Sequence, residues 1–199
     1  MALLSKTNRD KYLKALGYGA YSEKSILALQ KDYFPHYTTV GKTKINNWDG
    51  TYGTDTDNLL RHCYNVFKIT KNFKPEEFKC GCGNRYCNGY PTYMRQDVLA
   101  NIQAIRSHWG KPITVTCGLR CSGYNRSLGG SISNSKHLSG KAIDFYQKGV
   151  TDTLANRKKA IKWIKKLANH SYTYGNGINS LGSYVNASNM GNALHTDTK

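Results

Sequence analysis

No run in this chain approaches the roughly 20 consecutive apolar residues that a membrane-spanning helix needs, so insertion into a bilayer is not expected. Acidic residues are scarce: 12 stand against 29 lysines and arginines, giving a net charge of +17 over 199 residues. That imbalance calls for an anionic partner, which is a nucleic acid, a membrane surface or the polyanionic wall of a Gram-positive cell. Charge alone does not choose among them. An arginine-rich helix and an aromatic-plus-glycine motif are both lacking, and the basic residues are mostly scattered lysines, so nucleic acid is not the expected partner. An export signal is lacking as well. Met1-Ala2-Leu3-Leu4 is too short for the apolar core of a signal peptide and gives way at once to Lys6, Asn8, Arg9 and Asp10. The expectation is a protein made in the cytoplasm, which needs another agent to let it out if its substrate lies outside.

Without an export signal, the six cysteines do not argue for a secreted disulfide framework. Cys80, Cys82 and Cys87 are tightly clustered, with Gly81 and Gly83 supplying turns, and Cys121 sits beside Arg120. Three thiolates and a fourth from Cys121 can form a structural zinc site, although Cys-x-Cys is a less typical spacing than Cys-x2-Cys. Reduced, half-buried thiols and a disulfide formed after release are the alternatives.

The rest of the chain is organised around Ser135-Lys136-His137-Leu138-Ser139-Gly140-Lys141-Ala142-Ile143-Asp144-Phe145. An imidazole and a carboxylate stand seven positions apart with a glycine between them, and Ala142, Ile143 and Phe145 read as a buried strand. A histidine at the mouth of a turn and an aspartate on the next strand can converge on one point and hold a zinc ion. A catalytic zinc needs a third protein ligand and an open position for water. The other strand-like segment with both residue types is the last, Ala193 to Thr198. Residues two apart on a strand point the same way, so His195 and Asp197 would face one cleft.

These motifs, with Gly118-Leu119-Arg120 and Tyr124-Asn125 before them, resemble the zinc D-alanyl-D-alanine carboxypeptidase family, which also includes phage L-alanyl-D-glutamate endopeptidases. The resemblance runs from about Phe73 to the last residue. It implies that His137, Asp144 and His195 are zinc ligands. It also places Arg120 near the metal, to stabilise an oxyanion or hold a substrate carboxylate. Hedgehog signalling domains of the same superfamily keep a zinc site without clear peptidase action, so metal binding alone does not establish catalysis.

The family's usual general bases are absent. Some relatives carry Glu-x-x-His, but Asn192 stands three before His195; others carry a histidine where Ala193 stands. Asp197 is the best remaining base, or else it fixes the His195 ring. Ser135 and Tyr184 are candidate substrate contacts.

Residues 1–68 read as a small three-helix domain and 69–199 as the zinc peptidase domain. Two segments, Leu16 to Gln30 and Trp48 to Leu60, each place Gly-x-Tyr before a small polar residue and then enter a helix. Ser22 and Thr54 or Thr56 are natural N-caps there. Asp49-Gly-x-Tyr-Gly-x-x-Thr56 is similar to the signature of peptidoglycan-binding domains, with a longer insert around Pro35 to Asn47. A helical cap with no ligand of its own is the alternative, and Tyr18, Tyr21 and Tyr52, read as exposed, would suit stacking on sugar rings.

Further along, the pattern predicts a turn of helix begun by Pro75, a helix from about Tyr93 to Trp109 and a strand over 111–117. It predicts another helix from Arg157 to Asn169, a glycine-rich turn over 175–183 and a strand at Tyr184-Val185. The fold class expected is α+β, with a small antiparallel sheet and flanking helices forming the cleft. The resemblances, the net positive charge and the missing export signal together fit a phage endolysin or related wall-lytic enzyme, expected to be a monomer. It would cut an amide bond in the peptide stem of bacterial peptidoglycan by a zinc-activated water. A D-Ala-D-Ala carboxypeptidase and a catalytically silent zinc protein that only binds wall are the alternatives.

Overall fold

A computed structural model of the chain describes residues 2–34, 38–40, 43–45, 48–129 and 133–199, with 38–40 and 43–45 described by their backbone alone. The fold is α+β. Three helices come first: α1 (Lys6–Ala15), α2 (Glu23–Tyr33) and α3 (Thr54–Ile69), with a short hairpin of β1 (Thr38–Val40) and β2 (Thr43–Ile45) between the last two. The hairpin falls within the insert around 35–47, of which the remaining residues lie outside those described.

Ser22 caps α2 as its chemistry predicts. Its hydroxyl accepts from the Ser25 N–H, and Ser25 accepts in return from the Ser22 N–H. Neither Thr54 nor Thr56 caps α3; Gly53 occupies the cap position. Thr56 is buried instead, donating to the Thr51 carbonyl and accepting from Gln30.

Gln30 explains the Asp49-Gly50 motif. Its Oε1 accepts from the Asp49 and Gly50 N–H groups, and its Nε2 donates to Asp49, Thr51 and Thr56. The motif is thus wired into the helical core. Tyr18, Tyr21 and Tyr52 are half-buried rather than exposed, and their hydroxyls are engaged by Asp32, Arg9 and Asp57 respectively.

After a 3₁₀ turn at Pro75–Phe78, α4 (Gln96–Trp109) buries the expected stripe of Val98, Ile102 and Ile105. Each such burial contributes roughly 1.5–3 kcal/mol. The helix begins three residues later than its pattern predicts: Arg95 is its extended N-cap, and the N–H groups of Met94 and Arg95 go to His62 and the Gly140 carbonyl.

Then follow β3 (Ile113–Cys117), α5 (Ser122–Ser127), a 3₁₀ turn at Lys136–Ser139, β4 (Ala142–Gln147), α6 (Leu154–Ile164), β5 (His170–Gly175), β6 (Ile178–Asn179), a 3₁₀ turn at Ser188–Met190 and β7 (Leu194–Thr198). Thr153 caps α6, so that helix starts earlier than the lysine pattern suggests, and it ends earlier as well, at Ile164. Tyr184-Val185 is not a strand. The Val185 carbonyl accepts from the Gly177 N–H while Ile178–Asn179 makes the pairing with β5.

The five-stranded sheet has the order β3-β4-β7-β5-β6, and every pairing is antiparallel. The C-terminal strand is therefore central. Alternation divides its neighbour β4: Ile143 and Phe145 face the core at 0% exposure, leaving Ala142 and Asp144 on the opposite face. One continuous apolar cluster runs from Leu4 and Leu13 through Leu59, Phe78 and Ile102 to Leu194, joining the helices before residue 70 to the sheet after it. No helix among the described residues is long and apolar enough to cross a membrane.

Candidate metal centre

Register brings the first two residues together. Asp144 on β4 lies directly opposite His195 on β7, and Tyr174 on β5 lies opposite His195 from the other side. His137 reaches the same point from the 3₁₀ turn that precedes β4.

That turn closes on Gly140 at φ +66°, and a Cβ there would lie 2.1 Å from the Tyr93 carbonyl oxygen. Only glycine satisfies both the left-handed backbone and the close approach.

The Asp144 carboxylate is shared. Its Oδ2 lies 3.3 Å from His137 Nε2, and its Oδ1 lies 2.8 Å from His195 Nδ1. The two rings are 5.2 Å apart, centroid to centroid. His137 and His195 are buried, at 3% and 7% exposure.

The far side of each ring is anchored. His137 Nδ1–H donates to the Gly118 carbonyl at 2.9 Å, which leaves Nε2 to face Asp144. His195 Nε2 faces Asp197 Oδ2 at 3.4 Å, and the other Asp197 oxygen accepts from the Tyr172 N–H at 2.9 Å. Both Asp197 oxygens are thus engaged.

Burial works against charge on His137, but the adjoining Asp144 carboxylate and Cys117 sulfur outweigh it and hold the imidazolium up to about 10. Against its own burial, Asp144 is held well below the usual carboxylate range by His137 and His195. His195 is raised likewise by Asp144 and Asp197 in spite of burial. The carboxylate thus favours positive charge beside it.

Arg120 completes the positive side. Its Nη2 is 3.9 Å from Asp144 Oδ2 and donates to Cys117 Sγ at 3.2 Å, while Nη1 donates to Asn125. Its buried Nε–H has no acceptor among the described residues. Ser135 is buried one residue before the 3₁₀ turn, and its carbonyl accepts from the Leu138 N–H. Tyr184 stands apart at 76% exposure, with no hydrogen bond or ring contact to these residues.

Two neighbours escaped the sequence reading. Tyr174 stacks on His195 with centroids 4.7 Å apart, and Cys117 lies 3.5 Å from His137 Nδ1. The alternation in Ser171-Tyr172-Thr173-Tyr174 before Gly175 is the signal that marks the Tyr174 strand. Cys117 is marked by its place at the end of a β-branched strand, three residues before Arg120.

A ligand set must offer donor atoms, charge and enclosure. Two imidazoles on one carboxylate match the nitrogen–oxygen chemistry of zinc, and an anion between two such donors is suited to a cation. Cys117, His137 and Asp144 also have donor atoms within 4.8 Å of one another. A second grouping of the same closeness is formed by Cys80, Cys82, Cys87 and Cys121, all free thiols.

A family model described as Peptidase M15 matches residues 71–180, more than half of the chain. The chain belongs to that family, whose peptidases depend on zinc. The match includes Arg120, His137 and Asp144; His195 lies beyond it and joins them through strand register. No curated protein matches the chain closely enough to count as a relative.

Proposed function

We propose, on the premise of M15 membership, that this chain is a wall-lytic zinc endopeptidase acting on the peptide stem of bacterial peptidoglycan. One observation carries the reading: the Asp144 carboxylate with His137 on one oxygen and His195 on the other. In it His137, Asp144 and His195 hold the metal. Zinc held there would supply Lewis acidity toward a scissile carbonyl and acidify a water.

The protein's own residues do the rest. Gly118 and Asp197 fix the two rings by hydrogen bonds to the nitrogens turned away from Asp144, so that the remaining ring nitrogens converge. Of the two roles open to Asp197, ring orientation is favoured, because Tyr172 and His195 occupy both its oxygens. Arg120 brings a guanidinium to the same face, suited to an oxyanion or a substrate carboxylate. Ser135 and Tyr184 are assigned substrate contacts, and residues 1–68 the docking on glycan. The net charge of +17 suits an anionic wall.

Mass spectrometry of soluble fragments from purified Gram-positive peptidoglycan tests this. Wild type with zinc should release fragments with new amino termini, and His137→Ala should release none. Release of D-alanine alone would replace the reading by a carboxypeptidase. Sedimentation with the wall, zinc bound and nothing released, would make it a silent binder.

A further inference from the structure

Residues 79–89 have little apolar surface with which to hold themselves in place. Cys80, Cys82 and Cys121 are buried at 4%, 8% and 6% exposure, in a cluster separate from the main core. Among the described residues, the partly buried hydrophobics that pack against them are Cys87 and Tyr124. A loop and a short helix meet across this cluster with no aliphatic side chain in it.

The sulfur geometry says what holds them. All four Sγ atoms lie within 4.8 Å of one another, and Cys82 and Cys87 are 3.7 Å apart. A disulfide requires about 2.05 Å. Four sulfurs at about 2.3 Å from a central zinc stand about 3.8 Å from each other in a tetrahedron. The separation found matches the tetrahedral edge.

The backbone also treats these sulfurs as anions. The N–H of Cys121 is aimed at Cys80 Sγ, that of Tyr124 at Cys121 Sγ and that of Gly89 at Cys87 Sγ, each at 3.3 Å. A neutral thiol is a weak acceptor, whereas a thiolate rewards three such donors. Gly83 and Asn84, at φ +59° and +66°, turn the chain so that Cys87 comes back beside Cys82.

We propose that Cys80, Cys82, Cys87 and Cys121 bind one zinc ion as a closed tetrathiolate, a structural site separate from the cleft. Soft sulfur ligands that fill a tetrahedron leave no position for water or substrate. The four cysteines bind as thiolates, and each thiol still protonated gives its proton to solvent; the ion stays divalent and nothing is oxidised. The site ties the 80–87 loop to the start of α5, one residue after Arg120. Gly118, whose carbonyl anchors His137, packs on the Phe78 backbone nearby, where a Cβ would lie 2.7 Å from the Phe78 carbonyl oxygen. The ion therefore fixes the loop from which both Arg120 and the His137 anchor emerge. The proposal does not depend on the hydrolysis proposed above.

Cobalt substitution and alkylation mapping of the full chain test it. Cobalt should give an intense thiolate charge-transfer band that survives in His137→Ala and Cys117→Ser and is lost in Cys87→Ser. In the wild type, peptide mapping should find Cys80, Cys82, Cys87 and Cys121 protected from alkylation until a chelator is added, then all four modified. That second measurement needs no variant, so a misfolded Cys87→Ser leaves the test intact. A Cys82–Cys87 disulfide, alkylation that chelation does not change, absence of the cobalt band, or iron in place of zinc in the purified chain would each overturn the proposal.

Discussion

The cleft and the thiol cluster are assembled in opposite ways. At the cleft, Asp144 and His195 face each other because β4 and β7 pair in one register, and the strands' other faces are fully buried core. The thiol cluster stands on turns, apart from the main core, with no strand to set its spacing. Its loop is pinned at the two ends by one residue of α3. His62 Nε2–H donates to the Pro75 carbonyl, and Nδ1 accepts from the Met94 N–H. The scaffold fixes the cleft before any ion arrives, whereas the sulfur loop has its ends fixed by protein and its middle fixed by the ligand proposed for it. Where folding supplies the geometry, removing a side chain costs chemistry; where it does not, removal costs structure.

The sharpest way to break this contrast is at His137. His137→Ala should abolish hydrolysis and lower the thermal unfolding midpoint by less than Cys87→Ser does, because the strands hold the site together even when Asp144 loses a partner. Calorimetry and fragment release together decide it. A collapse of stability in this variant would show the cleft to be as ligand-dependent as the sulfur loop.

The clamp on the loop gives the next effect. Burial pushes the His62 imidazole down to about 4, and both its nitrogens are committed to the neutral form. In the unfolded chain a histidine protonates near 6.5. Between these values the unfolded state binds a proton that the folded state refuses, so the stability present above about 6.5 is lost as pH falls toward 4. The loss amounts to about 3 kcal/mol. Urea unfolding at pH 7 and pH 4.5 should show it in wild type. His62→Gln keeps a donor for Pro75 and should lose that share of the pH dependence, while carboxylate effects common to both proteins cancel.

How far the sequence could be read follows the same contrast. Ser135 to Asp144 and His195-x-Asp197 were legible because strand alternation and a glycine turn are local rules. That Asp144 stands opposite His195 is a pairing between distant segments, and only the family resemblance joined them. Tyr174 was missed because β5 lies next to β7 in space while its own pattern, polar and aromatic by turns, resembles an exposed segment. The strand set at Tyr184-Val185 belongs to Ile178–Asn179, since a two-residue strand carries too little alternation to locate. Cys80 to Cys87 could be seen as a group; their mutual distance could not.

Within the cleft, Asp197→Asn sharpens the comparison between a residue that does chemistry and one that holds another in place. Asparagine can still accept from His195 Nε2–H but cannot take a proton. An orienting role predicts a 10–100-fold loss in zinc affinity or activity, as for other partners of metal-bound histidines. A general base would cost about 10²–10⁴-fold in turnover with zinc affinity unchanged. Measuring both constants on the same preparation separates the two.

The smallest effect is expected at Tyr184. It lies on the stretch that sequence marked as a strand and is 76% exposed, while Tyr174 is stacked on His195 and half-buried. A ring already stacked on His195 orders that side chain, so Tyr174→Ala should lower turnover. A solvent-facing ring can only add contact with a bound substrate, and its own ordering on binding offsets part of that gain. Tyr184→Ala should therefore raise KM by a few-fold at most and leave kcat unchanged on a soluble stem-peptide substrate. A fall in kcat at Tyr184 equal to that at Tyr174 would mean that the 180–187 segment closes over the cleft during turnover, and the cleft would then share the ligand-dependent order of the sulfur loop.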